Sequence, residues 1–422
     1  MKNVKRIVAL ACTVALSTGL LAGCGSTTDT SDKAKTNTKV ELTFWDQDDA
    51  NAQKILDGLI KDFQTKNPNI TVKRTHYETE DLRKNFTSAA VSGKGPDVIL
   101  GPNDNLGVFV PGNLVQPATD IMGEDFFKTL DPNSLKAAQY DGKQYMIPDR
   151  NGNEILLTYN KKLVPEAPKT FEDLEKTGLQ LKQEGKVEYG LVFNEVEPFF
   201  SIPYLKAFGG EVFDNANSSS PKATLNTKSV TDWMTFMKKI HDEGLIPREA
   251  DGTVATNLFK QGKAAFIIDG PWGFADYKKA NVDFGIAAIP SINGVNPAPY
   301  SAVKGYVISA SVKDQAKKDA VKKFLEFVNT KDAQLKMVDA HQQLPTNLDA
   351  MKDSKVTGNP LISGQKDPLA KAIPMPIVPQ MRAIWDAAKP VQQEVLSGKT
   401  TPADAGAKMQ KKAEEGIKAL GL

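Results

Sequence analysis

Apolar positions recur along this chain with two distinct periods. Val40, Leu42 and Phe44 alternate with polar residues, the spacing of a half-buried strand. Asp48 or Asp49 then offers a cap for a helix in which Ile55, Leu56, Leu59, Ile60 and Phe63 share one face, and Asn67-Pro68 ends it. Ile70 and Val72 give a second strand, and a helix around Leu82 and Phe86 follows. Gly93 to Pro96 then punctuate before the short buried strand of residues 97–100. This β-α-β-α-β order predicts a parallel sheet with right-handed crossovers. In such sheets ligands sit beyond the carboxyl ends of the strands, so residues 45–49 and 101–105 are candidate rim loops.

Further along, residues 154–159 and 189–193 read as strands and residues 171–184 as a helix. Ser229 opens a helix with Val230, Trp233, Met234, Met237 and Ile240 inward, closed by Gly244. A strand over residues 264–268 leads into Gly270-Pro271-Trp272-Gly273, where the chain turns sharply and holds a large aromatic in the turn. Val321, Phe324, Leu325 and Val328 mark another amphipathic helix, and Pro402 begins a last, Lys-rich one.

The amino terminus follows a different logic. Lys2, Lys5 and Arg6 precede an apolar run from Ile7 to Leu21, and Leu21-Ala22-Gly23-Cys24 closes it. That is the pattern of a lipoprotein signal peptide over residues 1–23, with the lipid on Cys24. The run falls short of the ~20 residues that span a bilayer comfortably. The only other cysteine, Cys12, leaves with the signal, so the mature chain has neither a disulfide nor a cysteine metal site. Residues 24–39 are almost wholly polar and read as a disordered tether.

Roughly 400 residues remain after the signal, more than one hydrophobic core usually serves, so two domains are expected. The 53 basic and 51 acidic residues nearly balance, which gives no reason to expect nucleic acid as a partner. No Gly-rich phosphate loop ending in Gly-Lys-Ser/Thr occurs. The three histidines, His76, His241 and His341, form no His-x-x-x-His pair, and no Gly-x-Ser-x-Gly appears. The usual marks of ATPases, zinc enzymes and serine hydrolases are therefore missing, and no metal or cofactor is expected. A glycosidase needs only two carboxylates several ångströms apart, so Glu197 with one of the aspartates stays open as an enzymatic alternative.

What stands out is a set of loop aromatics beside acidic residues: Trp45 near Asp49, Glu197-Pro198-Phe199-Phe200, Pro271-Trp272-Gly273-Phe274, and Trp385 after a Pro-rich run. An aromatic face can cover the C–H face of a sugar ring while carboxylates and amides accept bonds from its hydroxyls. A Trp in a loop also serves to close a core; Trp45 fits that role best, and Trp233 lies on a core helix face.

Gly95-Pro96-Asp97-Val98, Tyr140-Asp141-Gly142-Lys143 followed by Pro148, and Leu157-Thr158-Tyr159-Asn160-Lys161 resemble the marks of extracellular solute-binding proteins of carbohydrate ABC importers. Glu197-Pro198-Phe199-Phe200, Asp269-Gly270-Pro271-Trp272 and Pro376-Ile377-Val378-Pro379-Gln380-Met381 with Trp385 resemble the maltose/maltodextrin-binding branch. The resemblance runs from about Val40 to the carboxyl terminus. It implies an α/β, two-lobed periplasmic-binding-protein-like fold of type II, each lobe a mixed sheet flanked by helices with a hinge between. The first lobe would hold residues 40–152 and 305–355, the second residues 153–304 and 356–422. Carried over by position, Phe199, Trp272 and Trp385 would stack on sugar, Glu197 would accept hydroxyl bonds, and Asp49 and Asp104 would do so from the first lobe. Enteric members carry a Trp where Gly101 stands and an Arg where Asn105 stands; Tyr306 is expected to compensate, and Phe274 replaces a Trp while keeping a stacking surface. The implied role is that of a monomeric lipoprotein outside the cell, bringing an oligosaccharide of the maltodextrin class to ABC permease subunits. Galacto-oligosaccharide, cyclodextrin and glycerol phosphate are the alternative solutes, although the loops are acidic and aromatic where phosphate would favour Arg or a helix amino terminus.

Overall fold

The computed structural model describes residues 39–216 and 220–420, apart from the side chains of Thr79 and Glu80. The signal peptide, Cys24 and the tether up to residue 38 lie outside the described residues. Each of the two main β-sheets has its own helices and its own core.

The larger sheet begins as its sequence pattern requires. Val40–Asp46 pairs in parallel with Ile70–His76 on one side and with Val98–Pro102 on the other, so the first strand is central among the three. The helix between the first two, Ala50–Lys66, starts where the Asp49 carboxylate accepts the amides of Asn51 (2.8 Å) and Ala52 (3.1 Å). It buries Ala52, Leu56, Leu59, Ile60 and Phe63 against Phe44 and Phe324. From edge to edge the sheet runs Leu344–Pro345, Met146–Asn151, Lys304–Ser309, Val98–Pro102, Val40–Asp46 and Ile70–His76. Lys304–Ser309 is antiparallel to both of its long neighbours, so a late segment of chain returns to the middle of the sheet.

The smaller sheet runs Phe284–Ala287, Leu156–Asn160, Ala264–Asp269 and Tyr189–Val192, with only the last pair parallel. Helices Phe171–Gln183, Lys228–Asp242, Gln380–Leu396 and Pro402–Ala419 cover it. Lys228–Asp242 opens one residue before Ser229, because the Thr227 hydroxyl accepts the Val230 amide at 3.4 Å. Trp233 is fully buried on that helix, as its spacing demands.

The chain passes between the sheets after Asn151, before Lys304 and again after Pro345. Tyr300–Ser301 pairs with Ile373–Pro374 beside the second and third passages. On the third, Val356 and Ile362 pack on Val338 of the larger-sheet side, while Leu361 packs against the cluster of the smaller sheet. Among the described residues no helix is long and apolar enough to cross a membrane.

Candidate functional site

The carboxyl ends of the three parallel strands carry the first rim. Asp49 lies in the turn after Val40–Asp46, and both capping bonds fall on its Oδ1, leaving Oδ2 open. Burial raises its pKa above the ordinary carboxylate value, against the pull of the amides it caps. Asp104, partly buried, sits in the single turn Asn103–Asn105 that follows Val98–Pro102. A side chain at Gly101 would meet Asn105 Nδ2 at 2.9 Å, so the glycine leaves room for that amide. Asn105 Nδ2 and Gln47 Oε1 are buried with no hydrogen-bond partner among the described residues. Buried amide atoms left without a partner are costly, and a polar ligand between them would remove the cost.

The second wall is aromatic. Phe199, on the turn Pro198–Phe200, and Trp385, on Gln380–Leu396, meet edge to face at 6.5 Å, and Tyr300 meets Trp385 at 6.2 Å and 88°. Lys389, one helical turn beyond Trp385, donates to Glu197 Oε1. Gln392, a turn further and buried, donates to the Glu195 carbonyl at 2.7 Å and accepts from the Ser201 hydroxyl at 2.5 Å. One side chain thus ties both ends of the loop bearing Glu197 and Phe199 to the helix bearing Trp385.

Trp272 lies partly buried, its ring over Gly270, where a Cβ would come within 2.1 Å of it. The Asp269 carboxylate just before this turn accepts the Tyr277 hydroxyl at 2.5 Å. Burial still pushes the Asp269 pKa up to about 6, and the charge on Asp49 adds to the shift. The two rims meet directly where Asn51 Nδ2 donates to Asp276 Oδ1 at 3.0 Å. Beside the Asp104 turn, Gly107 packs so closely on Val378 that a Cβ would lie 2.8 Å from its carbonyl carbon.

Glu197, Phe199 and Trp385 therefore come together, and Asp49 and Trp272 sit at the junction of the lobes. Two residues do not join them. Phe274 has no exposed surface; it is enclosed by Leu156, Phe259 and Tyr277 and packs on Phe284 at 5.5 Å, so it offers no face to a sugar. Tyr306 is equally buried, its ring 6.1 Å from Phe44 and its hydroxyl 3.5 Å from Asp149, because its position on Lys304–Ser309 points into the core of the larger sheet. It does not compensate for the missing aromatic at Gly101. Trp45 closes a core edge against Tyr77 at 4.7 Å. Sequence reasoning missed Tyr300 and Lys389; Gln47 and Asn105 lie within the expected rim loops 45–49 and 101–105 but had been given no binding role. Lys389 alone carried a signal, its i+4 spacing from Trp385.

Two lobes of mixed sheet, bridged by three passages and meeting over carboxylates and aromatics, define a solute-binding protein of the two-lobed class. The chain belongs to the bacterial extracellular solute-binding protein family, whose model matches residues 58–364. It is 27% identical over 92% of its length to a maltooligosaccharide ABC transporter solute-binding lipoprotein of Streptococcus pneumoniae, covering 91% of that protein. It is 26% identical to a galactooligosaccharide-binding protein of Bacillus subtilis over 99% of both chains. Among solved structures it resembles the maltose/maltodextrin-binding domain from Bdellovibrio bacteriovorus bound to maltotriose, with a TM-score of 0.84 and 37% identity over 90% of this chain and all of that one. Its relatives are solute-binding proteins, and the chain is a binding protein, not an enzyme.

Proposed function

We propose that the chain captures maltodextrin-type oligosaccharides between its lobes, Asp49 and Asp104 binding from one side and Glu197, Phe199, Trp272 and Trp385 from the other. The observation that carries this reading is the meeting of Phe199 and Trp385 beside the Glu197–Lys389 pair. Apolar faces flanked by a fixed carboxylate and a cation match a ring with one C–H face and a rim of hydroxyls. In this reading residues 40–152 and 305–355 form one lobe and residues 153–304 and 356–422 the other. Ligand touches both lobes only when they close, so it shifts the open to closed equilibrium by its differential contacts. The closed form then docks on the permease subunits of an ABC importer at the outer face of the cell membrane. A lipid on Cys24 would hold the protein there at high effective concentration.

A carrier must release its cargo, so an affinity near micromolar, about −8 kcal/mol, is expected. Titration with maltotriose and with a β-galactotriose in parallel distinguishes the two sugar classes that the relatives bind. Heat with the α-glucan and none with the galactan supports the reading; the reverse assigns the galacto-oligosaccharide role suggested by the relative that matches over 99% of its length.

A further inference from the structure

Two of the three passages between the sheets leave a charged residue at the edge of the larger one. Arg150 stands just before the first passage and Lys304 just after the second, and the two are register partners across the sheet. Both converge on Asp48, the neighbour of Asp49 in the rim loop. The Arg150 guanidinium donates to Asp48 Oδ1 and, at 2.6 Å, to Asp149 Oδ2, while Lys304 Nζ lies 3.6 Å from Asp48 Oδ1. Arg150, Asp48 and Asp149 are almost completely buried. Burial works against the charge on Asp48, yet Arg150 and Lys304 outweigh it and hold its pKa below the ordinary value.

Such a cluster is a poor device for stability, since the desolvation of buried ions offsets most of their attraction and apolar residues of similar size do as well. What a planar, bidentate guanidinium adds is direction. Here the direction is imposed on a loop with a task. Asp48 precedes the Asp49 cap, and the Asp48 carbonyl accepts from Gln53 at 2.9 Å. Asn51, within the same first turn, reaches Asp276 of the opposite lobe.

We propose that Arg150 is a positioning residue which, through Asp48, locks the Gln47–Asp49 rim loop to the two strands that flank the hinge. Rotation is thereby confined to the residues beyond Arg150 and Lys304, and closure presents Asp49 and Asn51 in a single orientation. The inference rests on the cleft being the sugar site, and its test includes a readout that needs no sugar.

The test uses the full-length chain in a detergent without a sugar headgroup. The double variant Asp48→Leu, Arg150→Met removes one acid and one base and so leaves Asp149 and Lys304 balanced; Arg150→Lys keeps the charge and removes the fork. Lys317→Arg, in the Asp97 pair at the end of the same sheet away from the rim loops, is the control. Without ligand, hydrogen exchange at the Asn51 and Ala52 amides is expected to quicken at least tenfold in both Arg150 variants and to stay within twofold in the control. With maltotriose, both Arg150 variants are expected to bind at least tenfold more weakly, chiefly through faster dissociation, at a melting temperature close to that of the parent. Unchanged exchange in a folded Arg150→Lys protein overturns the proposal, as does exchange that quickens equally in the control. A parent chain that ignores maltotriose while the variants exchange faster overturns the sugar reading and leaves the lock standing.

Discussion

A single buried position can decide whether an aromatic reads a ligand or closes a core. Phe274 and Trp272 are two residues apart, yet Phe274 faces Phe284 and Tyr277 while Trp272 lies over Gly270 at the lobe junction. Trp272→Ala and Trp385→Ala are expected to weaken maltotriose binding at least tenfold by calorimetry with little loss of stability. Phe274→Ala should instead cost about 3 to 5 kcal/mol of folding stability in denaturant titration. Motif position alone could not separate these cases, because a turn motif does not state which side of the next strand a ring packs on. The same limit applied to Tyr306, whose burial depends on Phe44 and Asp149 from distant segments. Trp233 was legible because Val230, Met234, Met237 and Ile240 on the same helix fixed its face.

Glu154, in the first passage between the lobes, gives a pH test at this scale. It is fully buried, neither carboxylate oxygen has a hydrogen-bond partner among the described residues, and burial raises its pKa to about 7. The native state then holds a proton that the unfolded chain releases near its ordinary value of 4.5. Stability from this group is therefore greatest below pH 4.5 and falls as pH rises toward 7. Glu154→Gln should raise the melting temperature at pH 8 and change it little at pH 4.5. Buried His341, whose pKa burial lowers well below the usual value, acts in the opposite sense in parent and variant alike, so their difference isolates Glu154.

At the scale of elements, the first sheet was written plainly in the sequence. Period-2 runs alternated with a period-3.6 face, and the Asp49 cap fell where a helix start was expected. The return of Lys304–Ser309 to the middle of that sheet was not legible from periodicity, since no local pattern records a pairing with Val98–Pro102 some two hundred residues earlier. The resemblance to a family supplied what periodicity lacked. The contact of Gln380–Leu396 with the Glu197 loop was not legible from periodicity either, because Trp385, Lys389 and the buried Gln392 meet that loop from nearly two hundred residues away. Gln392→Leu would leave the Glu195 carbonyl unpaired, at about 1 to 3 kcal/mol, and leave the Ser201 hydroxyl only its 3.3 Å bond to the Pro198 carbonyl. It should lower the melting temperature and weaken sugar binding together, and Gln392→Glu, which sets a buried carboxylate against the Glu195 carbonyl, should recover neither.

For the whole molecule, three passages between two separate cores make relative motion of the lobes the expected response to ligand. Scattering in solution should show a smaller radius of gyration with maltotriose than without. Replacing Cys24 by Ala should release a protein that binds sugar as before but no longer supports its uptake; lost binding would show that the amino-terminal segment does more than tether. Sugar capture between the lobes is read out by calorimetry of the parent chain with maltotriose. A micromolar dissociation constant that weakens tenfold or more in Trp385→Ala is the predicted result; no heat with any α-glucan, or equal affinity in that variant, contradicts it.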